Sequence, residues 1–218
     1  MSWLDWIRGK KDQAARNEGL PERWLVLDVE TTGLDPARAH LLAIAALAVR
    51  VDWSRRTLSL LPGDSLAMTI CPEQTSEKSN VLIHGIGIAV QRQGMPPADA
   101  MAAFRDWIGD ARLVAYHASF DRTLLGRYAR QYLGSDFAND WLDIAHLCTV
   151  AYPDIKARAL DVWLGHFSIE CVARHEATAD VMAECDLLQR IWPRVARECG
   201  SWRDVRKYAS QHNWFAGR

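Results

Sequence analysis

The run Trp24-Leu-Val-Leu-Asp-Val-Glu30 is apolar on both faces of an extended chain until two acids close it. A strand of that kind has to be covered from both sides, which points to a sheet packed between helices. Thr31-Thr-Gly-Leu-Asp-Pro36 follows as a loop, with Gly33 and Asp35-Pro36 as its turn residues. Leu41 to Val51 is a second strand, rich in Ala, Val and Ile. Trp53-Ser-Arg-Arg56 turns it into a third, Thr57 to Leu61, so the sheet opens as an antiparallel meander.

Helices then alternate with short strands. Pro96-Pro97 introduces a helix with Ala100, Phe104, Trp107 and Ile108 along one side and Gly109 at its end. Arg112 to Tyr116 is a short buried strand. Ser119 is the expected N-cap of the next helix, whose stripe is Phe120, Leu124, Tyr128 and Tyr132, with Gly134 after it. Leu142 to Val150 suits a strand or a helix, and its start is read as a strand. A last long helix carries Ala177, Val181, Cys185 and Leu188, and Pro193 is expected to end or kink it. The order predicts an α/β fold, a mixed five-stranded sheet flanked by helices. Residues 1–22 read as an N-terminal extension, 23–200 as one domain, and 201–218 as a C-terminal helical tail.

The 218 residues carry 26 Lys and Arg against 27 Asp and Glu, so no global field attracts a polyanion. Nucleic acid, if bound, is held locally or through cations. Cys71, Cys148, Cys171, Cys185 and Cys199 are odd in number and lack C-x-x-C spacing, which fits reduced thiols. The N-terminus shows no apolar leader and no run reaches the length of a membrane span, so a cytoplasmic protein is expected.

Asp28 and Glu30, two apart on a strand, leave the same face about 6–7 Å from one another. Two carboxylates at the end of an apolar strand repel one another and lose hydration unless a cation lies between them. Oxygen donors of this kind suit Mg²⁺ or Mn²⁺. The alternative is a strand that stops at Val29, leaving both acids solvated. Asp121 stands just after an apolar strand, in a first helical turn, where it either pairs with the helix dipole or reaches the same sheet edge as Asp28 and Glu30. Asp180 lies at the border of the long helix's apolar stripe, and His175 precedes it near the helix start. A histidine there is a capping residue or, beside a carboxylate cluster, a general base, because imidazole exchanges protons near neutral pH.

These segments resemble the DEDDh 3′–5′ exonucleases of the ribonuclease H-like superfamily, which include the proofreading epsilon subunit of bacterial DNA polymerase III. The resemblance spans roughly residues 23–192. Leu27-Asp-Val-Glu-Thr-Thr-Gly-Leu34 is similar to the first motif, Tyr116-His-Ala-Ser-Phe-Asp121 to the second and His175-Glu-Ala-Thr-Ala-Asp180 to the third. Ile83-His-Gly-Ile86 resembles the segment near the terminal nucleotide. The resemblance implies that Asp28, Glu30, Asp121 and Asp180 hold two Mg²⁺ or Mn²⁺ ions and that His175 deprotonates the attacking water. It also implies that Thr31, Thr32, Gly33 and Leu34 contact the 3′-terminal nucleotide, Leu34 as a wedge, with His84 and Phe120 lining the pocket. Two positions depart from the family pattern. Tyr116-His117 stands where His-Asn is common, and Gly87 where a Thr usually follows.

The implied activity is release of nucleoside 5′-monophosphates from single-stranded DNA 3′ ends, in replication proofreading or repair. The alternatives are an RNA 3′–5′ exonuclease of the same fold, or a catalytically silent module bound to a polymerase. Lys10, Lys11, Arg55 and Arg56 are either a small phosphate-tracking patch or solvated surface. Gln211-His-Asn-Trp-Phe215 is similar to peptides that dock on sliding clamps, the alternative being that Trp214 and Phe215 pack back on the domain.

Overall fold

The computed structural model describes residues 21–212. Strand β1 (Glu22–Thr31) pairs antiparallel with β2 (Leu41–Asp52), and β2 antiparallel with β3 (Thr57–Thr69). On its other side β1 pairs parallel with β4 (Arg112–Ala115), which pairs parallel with β5 (Trp141–Asp143). The order β3-β2-β1-β4-β5 puts the acid-bearing strand in the centre. Helices α1 (Lys78–His84), α2 (Ile88–Arg92) and α3 (Pro97–Ile108) separate β3 from β4. Then come α4 (Ser119–Leu133) after β4, and α5 (Ile144–Ala151), α6 (Leu160–Phe167), α7 (Ala177–Glu198) and α8 (Trp202–Ser210) after β5.

The alternation of β1 divides the core. Leu25, Leu27 and Val29 join Ile44, Ala46, Phe104, Leu124 and Tyr128 under α3 and α4. Trp24 and Val26 join Val49, Val114, Leu188, Ile191 and Trp192 under α7. At that end the rings of Trp192 and Trp202 stand edge-on to Trp24, with centroids 5.7 and 4.7 Å away. Pairs of this kind add about 0.5–1.5 kcal/mol each beyond area burial. Helix α8, read from sequence as a tail, therefore shares the core through Trp202, Val205 and Ala209.

Several local expectations are corrected. Strand β3 runs on to Thr69, past Pro62-Gly63, with its register against β2 shifting between Leu47 and Ala48. Because β3 is an edge strand, Pro62 sacrifices no ladder bond on its open side. The N-cap of α4 is Ala118, with no side-chain cap, and Ser119 is its first helical residue. The start of the segment Leu142–Val150 is strand as expected, β5 ending at Asp143, and there the Asp143 carboxylate accepts the Ala145 N–H at 2.9 Å and starts α5, which takes the rest. Pro193 does not end α7, whose buried face continues through Val195 and Ala196 to Glu198. The short helices α1, α2 and α6 go beyond the sequence expectation, although α6 buries Leu160, Trp163 and Leu164 at helical spacing.

Gly94 holds the turn that returns from α2 to the sheet. A Cβ there would lie 2.5 Å from the Ile70 carbonyl carbon and 2.7 Å from the Cys71 nitrogen. Gly94→Ala should therefore lower stability by about 1–3 kcal/mol, read as a fall in the urea midpoint. An unchanged midpoint would mean that the backbone of Ile70 and Cys71 yields.

Candidate metal centre and nucleotide cleft

Asp28 and Glu30 continue the Trp24–Val26 row, on the face of β1 that α7 covers. They lie opposite Ala45 and Ala43 of β2, whose small side chains leave the acids room. The strand does not stop at Val29. Helix α7 starts beside them because Glu176 caps it, its two carboxylate oxygens accepting the N–H groups of Thr178 and Ala179 at 3.2 and 2.8 Å. That start places Asp180 in the first turn. One oxygen each from Asp28, Glu30 and Asp180 lies within 4.8 Å of the others.

Asp180 is held from several directions. Its Oδ2 accepts the backbone N–H of His175 at 2.9 Å, and its Oδ1 accepts from the Arg174 guanidinium and, at 3.5 Å, from the Cys171 thiol. Arg174 is shared, since its Nε also donates to Asp161 at 2.6 Å. His175 sits at φ 63° with an exposed side chain, and its bond to Asp180 ties this left-handed backbone to the cluster.

Asp121 lies at the rim of the other layer, brought round by the β4–α4 turn, and outside the three-oxygen group. It is only 3% exposed, and its Oδ1 has no hydrogen-bond partner among the described residues. Burial, with Asp143 adding, pushes its pKa up to about 7, against the pull of its own and the Val29 backbone amides. Burial and then Asp180 and Glu176 push Glu30 up to about 8, with Arg174 opposing. Asp28 is raised well above the ordinary carboxylate range by burial, then by Glu184, Asp121, Glu30 and Asp180.

Glu184 was missed from sequence. It lies one turn below Asp180 on α7, 2% exposed, and its Oε2 accepts the Tyr116 N–H at 3.2 Å. Burial first, then Asp121, raises its carboxyl well above the usual range. The legible signal was an acid falling within the stripe of Ala177, Val181 and Leu188.

The remaining sequence candidates divide. Thr31 and Thr32 shape the loop after β1: the Thr31 hydroxyl donates to the Gly33 carbonyl at 2.6 Å, and the Thr32 hydroxyl accepts the His40 N–H at 2.8 Å. The Asn80 amide, inside α1, donates to the Thr32 carbonyl and ties that helix to the loop. Leu34 projects from the loop at 95% exposure. His84 is buried; its Nδ1 accepts the Ile86 N–H at 3.0 Å and its Nε2 meets the Ser76 hydroxyl at 3.2 Å. Burial lowers its pKa, so it stands as a neutral brace. A cavity of about 250 Å³ lies between Glu30, Ala43, Ala67, His84 and Glu176. Phe120 packs against the α3–α4 core and does not line that cavity.

Tyr116 and His117 both reach the Arg158 carbonyl, the Tyr116 hydroxyl donating at 2.7 Å and His117 Nε2 lying at 3.1 Å. This pair therefore anchors the segment before α6. Gly87 is the extended N-cap of α2. Arg55 and Arg56 sit in the β2–β3 turn, at the end of β2 remote from the residues facing Asp28 and Glu30, so they form no patch at this site. Arg55 pairs with Asp52 at 3.8 Å. Lys10, Lys11, Trp214 and Phe215 lie outside the described residues.

The family profile described as Exonuclease, RNase_T, matches residues 25–188. The chain belongs to this exonuclease family. Among relatives of the family, the DNA polymerase III PolC-type of Bacillus subtilis (strain 168) is 28% identical over 178 residues, covering 81% of this chain and 12% of that protein. The DNA polymerase III subunit epsilon of Aquifex aeolicus (strain VF5) is 23% identical over 188 residues, covering 84% of this chain and 88% of that one. The structure of E. coli exonuclease I in complex with a dT13 oligonucleotide superimposes with a TM-score of 0.68 at 20% identity, covering 81% of this chain and 42% of that one. The ribonuclease H-like α/β fold expected from sequence is the fold observed. No helix of the described residues is long and apolar enough to cross a membrane.

The donors fit divalent cations. Three carboxylate oxygens converge, and a fourth acid, Asp121, is buried with an oxygen that nothing in the described protein satisfies. An all-oxygen set suits Mg²⁺ or Mn²⁺ better than a soft metal.

Proposed function

We propose that this exonuclease-family chain removes nucleoside 5′-monophosphates one at a time from DNA 3′ ends, with two Mg²⁺ or Mn²⁺ ions held by Asp28, Glu30, Asp121 and Asp180. The convergence of the Asp28, Glu30 and Asp180 oxygens within 4.8 Å carries this reading. Bound cations supply Lewis-acid polarisation of the phosphate and a more acidic water.

The chain's own groups do the rest. The loop from Thr31 to Leu34 grips the terminal nucleotide, with the exposed Leu34 side chain against its base. The cavity beside Glu30, walled by His84, receives the terminal residue. His175 accepts the proton of the attacking water, its position set by the bond from its backbone to Asp180. The oligonucleotide complex of exonuclease I supports a single-stranded substrate, and the polymerase names of the relatives support service to a DNA polymerase. Gln211 follows α8 at the surface and starts the segment proposed to meet a sliding clamp.

The test is 5′-labelled single-stranded DNA incubated with Mg²⁺ or with EDTA, beside an RNA of the same sequence. A ladder growing from the 3′ end only with metal is expected, and faster on DNA. Cutting from the 5′ end, or equal cutting in chelator, overturns the reading. His175→Ala should lower kcat by about 10²–10⁴-fold with little change in KM; an unaltered kcat removes His175 from the chemistry.

A further inference from the structure

We infer that Glu184 is a positioning residue of the metal centre, a fifth carboxylate that locks the Asp180 helix to the strand end leading into Asp121 and adds its charge to the hold on cations. This rests on the reading of Asp28, Glu30, Asp121 and Asp180 as metal-binding groups.

The connection is geometric. Asp180 and Glu184 stand one above the other on α7. Glu184 Oε2 accepts the N–H of Tyr116, the first residue after β4, and the chain from there turns directly into α4 and Asp121. The Tyr116 hydroxyl is fixed to Arg158 from the other side, so the junction that Glu184 grips has little freedom. One hydrogen bond thereby sets the spacing of two acids carried by different layers.

The charge pattern gives the second half. Among the acids around Asp28, Glu184 presses on it most strongly, and Asp121 presses most strongly on Glu184. Arg174 reaches Asp180 and Asp161 on the outer side and eases Glu30, whereas only acids press on Asp28. Asp121, which presses on both Asp28 and Glu184, keeps a buried Oδ1 with no partner among the described residues. A mere tether for the Tyr116 N–H needs only an oxygen, which glutamine supplies equally. A carboxylate buried beside three others is physically reasonable where cations bind.

The experiment titrates the full chain with MnCl₂ in the absence of DNA, by calorimetry, for wild type, Glu184→Gln and Glu184→Asp. Glutamine keeps the acceptor and shape and removes the charge; aspartate keeps the charge at shorter reach. Glu184→Gln should bind Mn²⁺ about tenfold or more weakly, the range for supporting groups around a metal. Glu184→Asp should stay nearer wild-type affinity while losing kcat. Wild-type affinity in the glutamine variant overturns the inference, as does an equal loss in both variants. Absence of Mn²⁺ binding by the wild type instead overturns the metal-centre reading itself.

Discussion

Asp180→Asn should abolish 3′-end degradation, lowering kcat by about 10³-fold or more while the protein folds normally. The size follows from position. Asp180 is the one acid of the converging trio on α7, and it also fixes His175 and Arg174. Losing a single preorganised electrostatic contact at a reacting centre costs about 10²–10³ in kcat. Here a proposed ligand and the support of the proposed base are lost together. Asparagine retains an oxygen for the His175 N–H, so the left-handed turn has no reason to unravel. The neutral side chain also relieves repulsion with Glu30, so melting in EDTA should be unchanged or higher. The check is single-turnover cleavage of 5′-labelled DNA beside a melting curve. Activity within tenfold of wild type would leave Asp180 as a helix-start residue with no share in the chemistry.

Stability should fall as pH rises in EDTA-treated protein and stop falling once Mn²⁺ is added. Asp121 is raised from 3.8 to about 7 and Glu30 from 4.5 to about 8. Between those limits the folded chain retains protons that the unfolded chain has released. These two groups therefore make unfolding stability decrease with pH from near 4 to near 8, and the raised carboxyls of Asp28 and Glu184 act in the same direction. Every tenfold gain in proton affinity on folding is worth about 1.4 kcal/mol, so the two groups together make the change on the order of several kcal/mol. Asp64, held low by Arg23, has the opposite sign, its contribution being lost only as pH falls below the ordinary carboxylate range. Mn²⁺ at a hundred times its dissociation constant adds about 2.7 kcal/mol by mass action and displaces the protons. Melting temperatures across pH 5–8.5 in both conditions decide the matter. A flat profile in EDTA would show that the acids are solvated or already neutralised.

The fold class and the gathering of Asp28, Glu30 and Asp180 were legible in the sequence, whereas several local features of the scaffold were not. Asp28 and Glu30 stand out because ionised groups are costly at the end of an apolar strand, and β1 is long enough to show its pattern. The meeting of Asp121 with that strand depends on the parallel pairing of β1 with β4. Spacing along the chain cannot give such a register. Glu184 stayed hidden because an acid within a helical stripe looks like a break in the pattern, and only tertiary packing shows that the stripe is buried there. Ser119 has the right chemistry for a cap, yet the turn through Ala118 and the left-handed His117 starts the helix one residue earlier. Pro62-Gly63 ends the expected third strand and Pro193 ends or kinks the last long helix by the same rule; the open sheet edge lets β3 continue, and the apolar face of α7 carries that helix past Pro193. Phe120 shares a motif with Asp121 but turns toward the α3–α4 core.

One row of side chains on β1 carries both an anchor and the chemistry: Trp24 and Val26 seal the layer beneath α7, and Asp28 and Glu30 follow on the same side. Slipping this strand by a single residue would turn the whole row over, forcing the bulky indole and both acids into the layer packed under α3 and α4. A mispaired chain could thus be neither compact nor active, so the proposed cleavage of a 3′ end would double as a report that the central strand has threaded correctly.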